Sequence, residues 1–179
     1  MNKILLQFLV LSFLLIVPLA QAASPEEIDI KVDATIKVFS QKVSGGEEFL
    51  KNAKGILVFP SVIKAGFVFG GEYGEGALRI KGKTVDYYRT TGASFGFQFG
   101  AQSKSIIIAF LDDKALLKFR QSQGWEAGVD GSIAIASAGA GGSLDTRNMS
   151  SPIVGFVFGN KGLMVDLSLK GSKYSRMKK

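Results

Sequence analysis

Lys54-Gly55-Ile56-Leu57-Val58-Phe59-Pro60-Ser61-Val62-Ile63-Lys64-Ala65-Gly66-Phe67-Val68-Phe69-Gly70-Gly71-Glu72-Tyr73-Gly74-Glu75-Gly76 is the stretch on which the fold turns. Apolar and aromatic residues alternate there with small or polar ones between glycines, the period-two signature of β-strands. Within and beyond this stretch, the same signal predicts strands at Ile56–Phe59, Ala65–Tyr73, Gly76–Lys81, Thr84–Thr90, Ala93–Gln102 and Ser105–Leu111. Three more are expected at Gly128–Ala138, Ile153–Phe158 and Leu163–Leu169. Polar tips at Lys81-Gly82-Lys83, Gln102-Ser103-Lys104 and Asn160-Lys161-Gly162 supply turns. The element Gly-Phe-x-Phe-Gly recurs at Gly66–Gly70, Gly96–Gly100 and Gly155–Gly159. Phe at alternate positions points to one face, and such a row reads as core rather than as a ligand slot. Short strands with glycine at the corners predict a curved sheet that is closed or nearly closed, like a barrel.

Helices frame these strands. Ser24-Pro25-Glu26-Glu27 has the composition of a helix start, with Ser24 as cap, Pro25 at the first helical position and Glu27 completing a capping box. The residues that follow fit two periods. Ile28, Ile30, Val32, Ala34, Ile36 and Val38 alternate as in a strand, whereas Ile28, Val32, Ile36, Phe39 and Val43 share one helical face. The cap favours helix, ended by Gly45-Gly46, with a second short helical piece over Glu47–Ala53. A further helix is expected at Asp112–Arg120, with acids at its start and bases near its end. The fold class is therefore α+β and mainly antiparallel β, with N-terminal helices and one helix inserted between strands.

Met1–Ala23 has the parts of a secretory signal: Lys3, an apolar run of about 14 residues from Ile4 to Val17, Pro18, and Ala20-Gln21-Ala22. The run falls short of the roughly 20 residues of a spanning helix, and cleavage is expected after Ala22. The expected division is residues 1–22 as cleaved signal peptide, 23–53 as a helical segment packed on the domain, and 54–179 as a β-rich core. Cleavage would remove one lysine of the excess. With no cysteine to carry an acyl chain, a lipoprotein anchor is excluded, so an exported, periplasmic and at most peripherally attached protein is expected.

Composition narrows the chemistry. The 179 residues contain neither Cys nor His, so thiolate and imidazole nucleophiles, disulfides and the usual zinc, haem and iron–sulfur ligand sets are missing. No cofactor is expected. Glu72 and Glu75 come nearest to a paired-carboxylate site, but three residues apart at a strand end they need not converge, and they read as solvated turn acids. Asp130 is a further candidate acid, and Asp112-Asp113 reads as a helix N-terminal pair. Gly139-Ala140-Gly141-Gly142-Ser143 lacks the Gly-Lys-Ser/Thr ending of a phosphate loop and reads as a turn or close-packed strand.

Twenty-two Lys and Arg against fifteen Asp and Glu give a formal charge of +7. Lys51, Lys54 and Lys64 surround Gly55–Val62, and Lys170, Lys173, Arg176, Lys178 and Lys179 crowd the final residues. Singly these are solubilising charges and a frayed tail. As a set, in an exported chain, they point to anionic head groups rather than nucleic acid, at about 1 kcal/mol for each cation close to such a surface.

The Lys54–Phe67 and Gly70–Gly76 motifs resemble the SYLF domain family, also described as the lipid-binding or actin-regulator domain family. The resemblance continues through Ala93–Gln102, Gly124–Ser132, Gly155–Phe158 and Lys161–Met164. It implies lipid binding, and no catalytic residue is carried over from it. A signal peptide without an SH3 domain looks like the stand-alone bacterial exported branch, for which anionic phospholipid is the expected partner and actin is not.

The leading expectation is thus a non-enzymatic lipid-binding protein, with Lys51, Lys54, Lys64, Lys170, Lys173 and Arg176 as lipid-binding candidates. The face of Ile28, Val32 and Phe39 either inserts in membrane or packs on the sheet. The alternatives are an integral outer-membrane β-barrel or structural envelope protein, and an uncharacterised hydrolase using Glu72, Glu75 or Asp130.

Overall fold

The computed structural model describes residues 23–66, 69–95, 102–136, 151–159, 162–163 and 169–179. Helix α1 (Pro25–Lys42) starts as its sequence indicates, with Ser24 Oγ accepting from Glu27 N at 3.2 Å and Pro25 in the first turn. Of the two periods that fit this stretch, the helical one is realised. Ile28, Val32, Thr35 and Phe39 are buried, while Ile30, on the strand phase, is 71% exposed. The helical face is consumed by packing on the sheet, so it is not free to insert in a bilayer. Helix α2 (Gly46–Asn52) follows directly, its start placed by Gly45 at φ 77°.

Among the described residues nine strands follow: β1 (Gly55–Gly66), β2 (Phe69–Ile80), β3 (Lys83–Phe95), β4 (Gln102–Phe110), β5 (Trp125–Glu126), β6 (Ala134–Ile135), β7 (Ile153–Gly159), β8 (Gly162–Leu163) and β9 (Lys173–Met177). Helix α3 (Asp113–Gln121) joins β4 to β5, with Asp112 accepting from Ala115 N at 2.9 Å as its cap. The sheet order is β5-β9-β3-β2-β1-β4-β7-β6, with β8 on β7. All pairings between strands are antiparallel except β6 with β7.

Several expected strand boundaries are corrected. Ala65–Tyr73 is not one strand, because Gly66 pairs with Gly70 and Ala65 with Gly71 across the β1–β2 hairpin. Ala93–Gln102 is divided likewise between the end of β3 and the start of β4, and Gln102-Ser103-Lys104, expected as a turn, opens β4. Gly74 and Gly76 lie inside β2, where they read as its boundary. Among the described residues of the expected Gly128–Ala138 strand, only Ala134–Ile135 is strand, after a turn, and residues 137–138 lie outside the described ones. The expected tail is instead β9, paired with β3 from Tyr87↔Met177 to Thr91↔Lys173. Lys81-Gly82 is the expected turn, with both residues at positive φ, 51° and 77°. The Gly96–Gly100 element, Phe67 and Val68 of the first element, and the glycine run 139–143 lie outside the described residues, as does most of the Leu163–Leu169 stretch.

Pro60 shapes β1. It cannot donate to a ladder, and the registers with β2 and β4 both shift around it, so a bulge sits there. Its carbonyl is met by Ser105 Oγ at 2.8 Å. Because of the extra residue, Leu57, Phe59 and Val62 all reach the same concave core. The sheet is strongly curled: β9 lies three strands from β1, about 14 Å on a flat sheet, yet the Phe59 and Tyr174 rings stand 5.6 Å apart. Helix α3 fills the concavity, with Phe119 at 4.9 Å from Phe110, 5.0 Å from Tyr88 and 5.8 Å from Trp125. The result is a curved, nearly closed antiparallel half-barrel.

The convex side carries the second core. Ile28, Val32, Phe39, Val43 and Leu50 of the helical segment pack on Val58, Ala77, Ile107, Ala109, Phe156 and Phe158. Phe39 meets Phe156 edge-on at 4.8 Å, so the third Gly-Phe-x-Phe-Gly element is core, as its alternation implies. Burying one such ring contributes about 1.5–3 kcal/mol. This side is the one that a membrane barrel turns to lipid, and over these strands it is covered by helices. Among the described residues no helix is long and apolar enough to cross a membrane.

Candidate functional site

The six cations read from the sequence do not share one face. Lys51 is exposed on α2 and pairs with Glu47 one turn earlier at 2.7 Å; that hydrogen bond raises the Lys51 pKa and lowers that of Glu47. Lys54 lies 3.9 Å from Asp113, at the Gly55 end of the sheet. Lys64 stands near the other end of β1, in register with Glu72 and Gln102. Lys173 shares that region, opposite Thr91 and Glu126, and Lys170 lays its stem beside Gly128 in the turn before β9. Arg176 stands between the two ends and holds β9 in place. Its guanidinium reaches Asp86 at 3.4 Å, donates to the Arg120 carbonyl at 2.7 Å and lies 6.0 Å from the centre of the Tyr88 ring.

The Gly55 end also holds a groove of about 580 Å³ between α1, α2 and the β1–β2 pair. Ile36, Leu50, Ala53 and Ile56 give it an apolar floor, and Lys37, Lys51, Arg79 and Lys81 stand against two acids, Asp33 and Glu47. Its local electrostatics are uneven. Arg79 is held by Asp33 at 2.8 Å and Asp29 at 3.5 Å, and Asp29 also accepts from Thr84 and Tyr87, which pins α1 to the sheet. Lys37 and Lys81 have no ion pair among the described residues. Lys51 is thus the one sequence candidate that lines the groove, with Lys54 beside it, and Lys37 and Lys81 were missed. Lys81 was legible as a turn tip. Lys37 was not, because the surface facing it across the groove is built by residues 10 to 45 positions away. A volume of this order, an apolar floor and unpaired ammonium groups suit an amphiphile with an anionic head.

The candidate acids are not a catalytic pair. Side chains alternate along a strand, so Glu72 and Glu75 fall on opposite faces of β2. Lys104 Nζ lies 3.0 and 2.8 Å from the two Glu72 oxygens on the concave side. Glu75, on the convex side, accepts from Tyr73 Oη at 2.7 Å and Lys179 Nζ at 3.2 Å. Neither is the solvated turn acid expected, because both are in mid-strand and largely shielded. Asp130 closes a turn by accepting from Glu126 N at 2.7 Å. Among the described residues no acidic cluster could hold a metal ion.

No curated protein matches the chain. The family model described as Ysc84, Las17-binding protein actin regulator, matches residues 91–179, from within β3 through α3 to β9. The Lys54–Gly76 motif and the groove lie outside that match, so it is the half-barrel's second half that is similar to this family.

Proposed function

We propose that this is an exported, non-enzymatic, lipid-binding protein of the cell envelope that associates with anionic phospholipid membranes. The observation that carries this reading is the groove with an apolar floor, where Lys37 and Lys81 stand without ion partners among the described residues. The Met1–Ala23 pattern, the basic excess and the similarity of residues 91–179 to a family resembling SYLF lipid-binding domains support it. Lys51 and Lys54 belong to the same membrane-facing end. Lys64, Lys170 and Lys173, toward the other end, serve as a secondary contact. The family description speaks of Las17 and actin; in an exported periplasmic chain, lipid replaces them.

Vesicle co-sedimentation tests the reading. The protein is expected to pellet with phosphatidylglycerol-containing vesicles at low salt, to remain free with phosphatidylcholine alone, and to be released as salt rises. Lys37→Glu with Lys81→Glu should weaken anionic binding about tenfold or more, from roughly 1 kcal/mol per cation. Equal recovery with neutral and anionic vesicles would remove the electrostatic mechanism.

A further inference from the structure

Three distant parts of the chain meet at Glu75. Its Oε2 accepts from Ala23 N at 3.2 Å and from Lys179 Nζ at 3.2 Å, and its Oε1 takes the Tyr73 hydroxyl at 2.7 Å. Lys179 Nζ also donates to the Ala23 carbonyl. The side chains of Glu75 and Lys179 are only 12% and 10% exposed, so this is a shielded ion pair rather than a surface contact.

Ala23 is also the residue that follows Ala20-Gln21-Ala22. Hydrolysis of the Ala22–Ala23 bond by a signal peptidase adds one water. Ala22 leaves with a carboxylate, and the freed Ala23 amine takes up a proton. The nitrogen facing Glu75 then changes from a neutral amide to an ammonium. It lies one residue before the Ser24 cap, where the positive end of α1 repels a cation unless a carboxylate answers it. Glu75 is in hydrogen-bond reach of that nitrogen.

We propose that Glu75 is the receptor for the α-ammonium group of the processed chain, so that removal of the leader locks the start of α1 onto β2. Export thereby becomes coupled to folding. In the precursor this contact is an amide N–H donating to the carboxylate; in the mature chain it becomes an ion pair as well, and the contact is tightened after cleavage. This rests on the export reading proposed above.

The test compares a chain beginning at Ala23, released from a fusion by a protease that leaves no extra residue, with one beginning at Gln21. The second keeps the Ala23 N–H as an amide and moves the charge two residues away. Glu75→Gln is introduced into both and unfolding in urea is followed. Glu75→Gln is expected to raise the unfolded fraction about tenfold more in the Ala23 chain, the scale of a shielded charge-assisted bond. Equal losses overturn the proposal. If Glu75→Gln does not fold, acylation of the α-amine in the two unsubstituted chains decides: Ala23 is expected to react about tenfold more slowly than Gln21, the same scale of protection, and equal rates overturn the pairing. The intact mass of the protein from its own host separates the two failures. A start at Ala23 supports both readings, and any other start overturns processing at Ala22–Ala23 while the urea comparison judges the ion pair by itself.

Discussion

Glycine is the residue type whose meaning changes most between sequence and structure. Gly76 reads as a strand boundary, yet it lies inside β2 because β1 presses against it: an added Cβ would stand 2.0 Å from the Val58 carbonyl oxygen and 2.8 Å from the Phe59 ring. Gly76→Ala is therefore expected to cost about 2–4 kcal/mol in urea denaturation. Gly71→Ala, whose nearest neighbour would be a carbonyl at 3.9 Å, should change stability by no more than about 0.5 kcal/mol. Tyr174 gives the opposite case. Its hydroxyl is buried without a hydrogen-bond partner among the described residues, beside Ser172 and Thr90, and burial pushes its pKa far up. Its ring is held by Phe59 and Trp125. Tyr174→Phe should leave stability unchanged or raise it by up to about 1 kcal/mol, since an unsatisfied polar group is removed and the packing kept. A clear loss on thermal unfolding would show that the hydroxyl has a partner.

At the scale of elements, local signals were read correctly where the responsible groups are neighbours in sequence. Ser24 and Asp112 cap α1 and α3 as their positions indicate, and Lys81-Gly82 makes the expected turn. Strand β9 was missed, because a basic run of Lys, Ser and Arg carries no alternation of its own. It becomes a strand by pairing with β3, 82 to 90 residues away, and through side chains that meet other distant residues. Tyr174 enters the concave core and Arg176 binds Asp86 and the Arg120 carbonyl. Truncation after Ser172 should thus cost on the order of 4 kcal/mol or more and abolish a single cooperative calorimetric transition. Loss of a frayed tail would cost almost nothing.

For the whole molecule, the absence of histidine predicts the shape of the pH profile. Glu27 and Glu47 have lowered pKa values through their hydrogen bonds to Lys31 and Lys51, so the folded state binds fewer protons than the unfolded one in acid. That stability is present above the ordinary glutamate range and is lost as pH falls. Tyr73, Tyr87, Tyr88 and Tyr174 are all raised above the ordinary value of 10.0, chiefly by burial. Above it the unfolded chain releases protons that the folded chain retains, so stability falls with rising pH. Urea midpoints of the chain that keeps its leader should show a plateau from about pH 6 to 9, with losses on both flanks, whereas in a chain beginning at Ala23 the α-ammonium, ordinarily about 8, brings the alkaline loss in earlier. A steep change within the plateau would require a titrating group that the side chains do not supply.

By itself the sequence determined what needs only neighbours along the chain: caps, periods, one turn, and the chemistry excluded by the lack of Cys and His. Tertiary structure decided where the hairpins fall, that the final residues form a strand, which lysines border one groove, and that Glu75 faces Ala23. The physical reason is one of range. A cap or a turn is a contest among a few adjacent hydrogen bonds, whereas a glycine is a bend or a close approach according to a strand far away in sequence. A lysine, equally, is a solvated charge or part of a site according to what folds beside it.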